Sequence, residues 1–274
     1  MVFERRSAEH KLDRLPALAH ELVRQKVDVI VAITTQAVDA ARKATTDIPI
    51  VMAPSGDALG SGFITSLARP GGNITGVTFT HEAVGPKRLE LLKDVRPGLD
   101  KIAILSLENF RILHQPMWRA AEMAARHLNV AVRLFEVRDA VEIESALSAM
   151  ARERMGAVVV LPSSLFAIER RRIAQTAEKL RLLSMCDRAE YVEAGCLMSY
   201  GASLGGILER AANHIDRILN GAKPGDLPVE QPTRFELVIN LKTAKAIGIT
   251  IAESILFRAD RVIEQLAIEH GALK

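Results

Sequence analysis

Ala157-Val158-Val159-Val160-Leu161 runs directly into Pro162-Ser163-Ser164. The apolar residues do not alternate with polar ones, so the run reads as a strand covered on both faces, as in a parallel sheet sheathed by helices. Proline and serine then end the strand and open a helix. The same punctuation recurs at 27–33, 48–53, 76–79, 101–107, 131–137 and 182–185, and a further strand-like run follows Pro232 at 235–240. Amphipathic helical patterns lie between these runs. Leu15, Leu18, Ala19, Leu22 and Val23 share one stripe, and Leu204, Ile207, Leu208, Ala211, Ala212, Ile215 and Leu219 share a longer one. Strands alternating with helices predict an α/β fold of βαβ units, wound into one wide sheet or two smaller ones. The pattern restarts after 80–86, and further breaks fall at Met198-Ser199-Tyr200-Gly201 and along 221–228. These breaks suit a chain that passes between two Rossmann-like lobes.

The 274-residue length allows either arrangement, and 49% hydrophobic with 25% charged residues is the composition of a protein with a real core. Basic and acidic residues nearly balance at 36 and 33, leaving no broad basic face, and only 4% are aromatic. Nucleic acid is therefore not an expected partner. Arg170-Arg171-Arg172 reads as a solvated helix face. The two cysteines, Cys186 and Cys196, exclude a disulfide scaffold; they either pair in an oxidising compartment or remain buried thiols. No apolar stretch approaches the ~20 residues of a membrane span. Residues 1–6 lack the apolar region of an export signal.

Open α/β sheets bind ligands beyond the carboxyl ends of their strands. Those ends carry Thr34-Thr35-Gln36, Pro54-Ser55-Gly56-Asp57, Glu108-Asn109 and Pro162-Ser163-Ser164. Small hydroxyl, amide and carboxylate groups at helix starts cap free backbone amides, and such helix starts also receive anions. Gly56 to Gly62 is glycine-rich but matches neither the dinucleotide nor the phosphate-loop pattern, and no GxSxG elbow is present. His10, His20, His81, His114, His127, His214 and His270 show no metal-ligand spacing and read as surface or capping residues. Asp187, Glu190 and Glu193 read as a solvated acidic patch. Tyr200, beside Gly201 at a predicted crossing, is a candidate for either ligand contact or hinge packing. No catalytic residue, metal ligand or cofactor site is expected.

Longer phrases point to a family. Asp13-Arg14-Leu15-Pro16-Ala17-Leu18-Ala19, Ser66-Leu67-Ala68-Arg69-Pro70-Gly71-Gly72-Asn73, Tyr191-Val192-Glu193-Ala194-Gly195 and Leu227-Pro228-Val229-Glu230-Gln231-Pro232-Thr233 resemble ABC-transporter substrate-binding proteins related to tryptophan/tyrosine-binding periplasmic components. The resemblance implies a type I periplasmic-binding-protein fold, with lobe one at 1–79 plus 202–224 and lobe two at 80–201 plus 225–274. It implies a monomeric, non-enzymatic protein that captures a small molecule, such as an amino acid, in an inter-lobe cleft and delivers it to an ABC permease. Thr34, Thr35, Ser55, Gly56, Asp57, Asn109, Ser163, Ser164 and Tyr200 are the expected ligand-binding residues. The hydroxyls and amides would receive a carboxylate, Asp57 an ammonium, and Tyr200 an apolar side chain. Two departures stand out: the match begins at the family's second strand, here 2–5, so the first βα unit is expected to be missing, and the usual Gly-Asp-Pro is Gly56-Asp57-Ala58. Location is periplasmic by resemblance, or cytoplasmic if this start is genuine. The alternatives are an α/β enzyme acting on a small polar substrate and a cytosolic ligand sensor.

Overall fold

The computed structural model describes residues 2–9, 11–79, 84–108 and 111–264, without side-chain detail at Phe79 and at 111–116. The chain divides into two compact units, Met1–Thr80 with Ala202–Arg234, and His81–Gly201 with Phe235–Lys274. The first begins with α1 (Leu15–Arg24), β1 (Ile30–Ala32), α2 (Thr35–Ala44), β2 (Ile50–Gly56) and β3 (Ile74–Phe79). The second follows with α3 (Val84–Val95), β4 (Lys101–Leu107), α4 (Arg111–His127), β5 (Ala131–Val137), α5 (Glu142–Arg152) and β6 (Ala157–Val160). It continues with α6 (Ser164–Ile168), α7 (Arg170–Lys179), β7 (Leu183–Cys186), α8 (Ala189–Glu193) and β8 (Met198–Ala202). Helix α9 (Leu204–Leu219) belongs to the first unit, and β9 (Phe235–Asn240), α10 (Leu241–Ala246), α11 (Glu253–Leu256) and β10 (Arg261–Ile263) belong to the second.

The first unit holds a parallel sheet ordered β1-β2-β3. Successive residues of β2 explain its run-on hydrophobicity. Ile50 and Met52 pack with Val38 and Ala41 of α2, while Val51 and Ala53 pack with Ala211 and Ile218 of α9. Side chains alternate across a strand, so a strand with helices on both faces must be apolar at every position. The second unit repeats the device on a sheet ordered β10-β9-β8-β7-β6-β4-β5. Ala157 and Val159 join one cluster, Val158 and Val160 the other.

Three expectations change. Residues 2–5 form no strand: no ladder partners them, and Val2 and Phe3 are 86% and 84% exposed. An extended segment needs a neighbour's hydrogen bonds to become a strand. On α9 the buried residues are Ile207, Ala211, His214 and Ile218, whereas Leu204, Leu208 and Leu219 are exposed, so the inward face is rotated from the apolar stripe. His214 is therefore not a surface residue; its two ring nitrogens each lie 2.9 Å from a carbonyl oxygen, of Arg210 and of Pro228. Finally, 225–234, expected in the second lobe, falls in the first unit. Gly71 N donates to Gly225 O at 3.2 Å, Val229 N to Leu67 O at 2.7 Å, and Thr75 Oγ1 to Leu227 O at 2.8 Å.

Gly76 shows how closely the first sheet is fitted. Its φ is +116°, and a Cβ there would lie 2.5 Å from both the N and O of Met52. Gly76→Ala combines backbone strain with a collision against the neighbouring strand and is expected to cost at least ~2 kcal/mol. Urea unfolding of the two proteins should show the lower midpoint in the variant; equal midpoints would contradict this packing.

Candidate functional site

In the first unit the strand ends build a polar face from backbone and hydroxyl groups. Thr34 follows β1 with φ +93°, a left-handed conformation rare for a branched residue, and its Oγ1 caps α2 by accepting from Ala37 N at 3.3 Å. Thr35 Oγ1 accepts from Gly56 N at 3.1 Å, which ties the end of β2 to the start of α2. Ser55 is 1% exposed and donates its hydroxyl hydrogen to Gly56 O at 3.0 Å. Asp57 is exposed, and its Oδ1 accepts from Gly60 N at 2.9 Å. Beside this face lies a concavity of about 440 Å3 whose lining includes His20, Thr35, Asp39, Lys43, Ser61 and Phe63. A hydrogen bond from Lys43 holds the Asp39 carboxyl below its ordinary range, with burial opposing and Arg42 assisting.

In the second unit Ser163 caps α6, accepting from Phe166 N at 3.0 Å, and Ser164 is exposed beside it. Asn109 lies outside the described residues. The ring of half-buried Tyr200 stacks on Phe235 at 5.9 Å with a 28° interplanar angle. The Tyr200 carbonyl accepts from Arg88 Nε at 2.8 Å. The structure thus brings Thr34, Thr35, Ser55, Gly56 and Asp57 together in one unit, and places Ser163, Ser164 and Tyr200 in the other.

Sequence reasoning missed a buried cluster of charges among the described residues. Asp187 directly follows β7, yet it is no part of a solvated acidic patch: it is 9% exposed. Its Oδ2 lies 3.3 Å from Arg188 Nε, and its Oδ1 has no hydrogen-bond partner. Arg88, 2% exposed, likewise leaves Nη1 unpartnered. Burial pushes the Asp187 carboxyl up, with Arg188 and Arg88 opposing, and burial pulls the Arg88 guanidinium down, with Asp187 opposing. The Arg188 guanidinium lies 5.9 Å from the Tyr191 ring centre, and burial raises the Tyr191 hydroxyl. Space is tight here, since a Cβ on Gly201 would stand 1.9 Å from Asp187 O. Both charged residues carried a signal. Asp187 obeys the strand-end rule once β7 is taken to Cys186, and Arg88 sits on the stripe of Val84, Leu92 and Val95, where a cation has no place without a partner.

Parallel sheets sheathed on both faces, with polar strand-end loops and buried charges holding unmet hydrogen-bonding capacity, are an arrangement suited to holding a small polar molecule. The chain belongs to the ABC transporter substrate binding protein family, whose pattern matches residues 1–263. It is thus a solute-binding component of an ABC transporter, from a family that binds small molecules and works with ABC permeases outside the cytoplasm. It is 26% identical over 241 residues to a tyrosine-binding protein of Clostridioides difficile (strain R20291), spanning 88% of this chain and 69% of that one. The ABC domain from Streptococcus pneumonia solved in complex with L-Trp is 28% identical, with a TM-score of 0.80 over 92% of this chain and 86% of that one. A conserved domain protein from Vibrio cholerae is 25% identical, with a TM-score of 0.87 over 95% and 87%. These neighbours share the two-lobed periplasmic-binding-protein type of fold.

The raised Asp187 carboxyl fixes the sign of a pH effect. A carboxyl whose folded pKa lies above its unfolded value contributes fully below about pH 4 and loses that contribution as pH rises through the folded value. Relative to Asp187→Asn, the unaltered chain should therefore lose stability as pH rises from acid, read from urea midpoints at each pH. A relative gain with rising pH would contradict the burial of this carboxyl.

Proposed function

We propose that the solute is an aromatic α-amino acid of the tyrosine or tryptophan class, and that the protein binds it without transforming it. The observation that carries this reading is a buried group of unmet polar atoms that includes Arg188 Nε, Tyr191 Oη and the pair Asp187 Oδ1 and Arg88 Nη1, near the aromatic pair Tyr200 and Phe235. An α-amino acid brings one ammonium and one carboxylate, the two groups that such a pair lacks, and an unmet buried polar atom costs about 1–3 kcal/mol. Tyr200 supplies an aromatic surface for an apolar or aromatic side chain.

In the first unit, Thr34 and Thr35 at the start of α2 offer hydroxyl and amide contacts suited to a carboxylate, and Asp57 keeps Oδ2 for an ammonium. The strained backbone of Thr34 supports a functional role, since such strain persists where a site requires it. The names of two relatives, one tyrosine-binding and one solved with L-Trp, support the aromatic class. We further infer that the protein acts as a monomer outside the membrane, delivers its solute to an ABC permease and needs no nucleic acid. The near balance of 36 basic and 33 acidic residues supports the last point.

Thermal melts with a panel of amino acids test the reading. A ligand at about 100 times its Kd adds ~2.7 kcal/mol, a shift of roughly 5–10 °C. L-tyrosine or L-tryptophan should produce it, glutamate and lysine should not, and the amino acid should be recovered unchanged. A shift only with charged or non-aromatic solutes would overturn the assignment. Asp57→Ala should weaken binding about tenfold, and unchanged affinity would remove Asp57 from the site.

A further inference from the structure

The chain's two cysteines, ten positions apart, meet inside the second unit. Cys186 closes β7, and Cys196 stands ahead of β8 with α8 between them. Both side chains are fully buried in the cluster that contains Phe166 and Tyr191, and their Sγ atoms lie 3.0 Å apart. Neighbours fix both backbones independently of the sulfurs. Cys196 N donates to Tyr191 O at 2.9 Å, and Leu197 N donates to Ser184 Oγ at 2.8 Å. Met185 and Cys186 pair with Met198 and Ser199 across the ladder. Among the described residues, no third histidine, cysteine or carboxylate completes a metal-binding group with them.

We propose that Cys186 and Cys196 are a disulfide-forming site, a covalent staple across α8 that fixes the segment carrying Asp187 and Arg188. The bond requires the sulfurs to close from 3.0 Å to about 2.05 Å, a movement of roughly one ångström. The oxidant is an external disulfide, either oxidised glutathione or a thiol–disulfide exchange protein. One cysteine thiolate attacks a sulfur of that disulfide, forming a mixed disulfide and releasing one thiol. The other cysteine thiolate then attacks the protein sulfur of the mixed disulfide and releases the second thiol. The two protein thiols lose two electrons and two protons, and the external disulfide gains them. Burial, followed by the neighbouring Cys196, raises the Cys186 thiol well above its ordinary value. The first attack therefore waits for α8 to open, and the reaction takes hours rather than seconds. Once formed, the bond is reduced on the same slow timescale, because the same burial limits access of a reductant.

The site is independent of which solute the protein binds. The native full chain is incubated with oxidised glutathione at pH 8, the remaining thiols are alkylated under denaturing conditions, and intact mass, a non-reducing peptide map and a melt are recorded. The expected result is loss of two hydrogens, a cross-linked peptide joining Cys186 to Cys196, and a rise in Tm of roughly 5–10 °C that dithiothreitol reverses. Cys196→Ala and Cys196→Ser should each abolish the cross-link and the oxidant-dependent rise, so the conclusion does not hang on the folding of one variant. Two alkylated thiols after a day of incubation, links only between chains, or a cross-linked protein with an unraised Tm would each overturn the proposal.

Discussion

Two-sided burial of parallel strands is the constraint on which both units depend. In β2 and β6 each successive residue must satisfy a different helical layer, so neither strand tolerates a polar residue in its body. In the bodies of the buried strands polar groups are confined to small hydroxyls such as Thr75 and Ser184, and charged side chains fall at the ends. Because the strands in each paired ladder run parallel, their carboxyl ends collect along one edge of each sheet. Thr34, Thr35, Ser55 and Asp57 follow from this in the first unit, as do Ser163 and Asp187 in the second. The strand-end loops are released from the two-sided packing that constrains the strand bodies.

Arg88 and Asp187 break the apolar rule, and their cost identifies them. Removing a carboxylate and a guanidinium from water is expensive, and mutual attraction repays it only when the remaining lone pairs and protons find partners. Here Arg88 reaches the Tyr200 carbonyl and Asp187 reaches Arg188, yet one polar atom on each stays unmatched. A hydrophobic pair of similar volume would serve the core better, so stability alone does not account for these charges. Under the proposed reading, a zwitterionic solute would supply the missing partner to each. Tyr191, Cys186 and Cys196 pack together beside Asp187 and Arg188 in the segment from β7 to β8.

Much of this was legible in the sequence because parallel strands leave a strong local trace. The runs at Lys101–Leu107, Ala131–Val137 and Phe235–Asn240 are read to the residue from their mostly apolar composition between helical patterns and turn residues. Strand β10, Arg261–Ile263, has three residues and too short a pattern to register. The apolar face of α9 misleads because sequence gives a stripe without saying which part of it meets the sheet. At 2–5 a strand-like composition has no partner to make it a strand. The first unit's polar face was found because N-capping chemistry is local. Asp187 was missed because its burial is a product of tertiary packing that also brings the distant Arg88 close, and local acidity with Glu190 and Glu193 suggested solvent instead.

The proposed role of Arg88 and Asp187 is to serve the solute rather than the core. Calorimetric titration of L-tyrosine and L-tryptophan into the intact chain, and into the Arg88→Met/Asp187→Leu double variant, tests this most directly. The paired replacement removes both charges while keeping the corner filled, so the variant should still melt cooperatively. The prediction is saturable binding of an aromatic amino acid by the intact chain and at least a hundredfold weaker binding by the variant. Equal affinity in a folded variant would contradict the account and return the pair to a purely structural role.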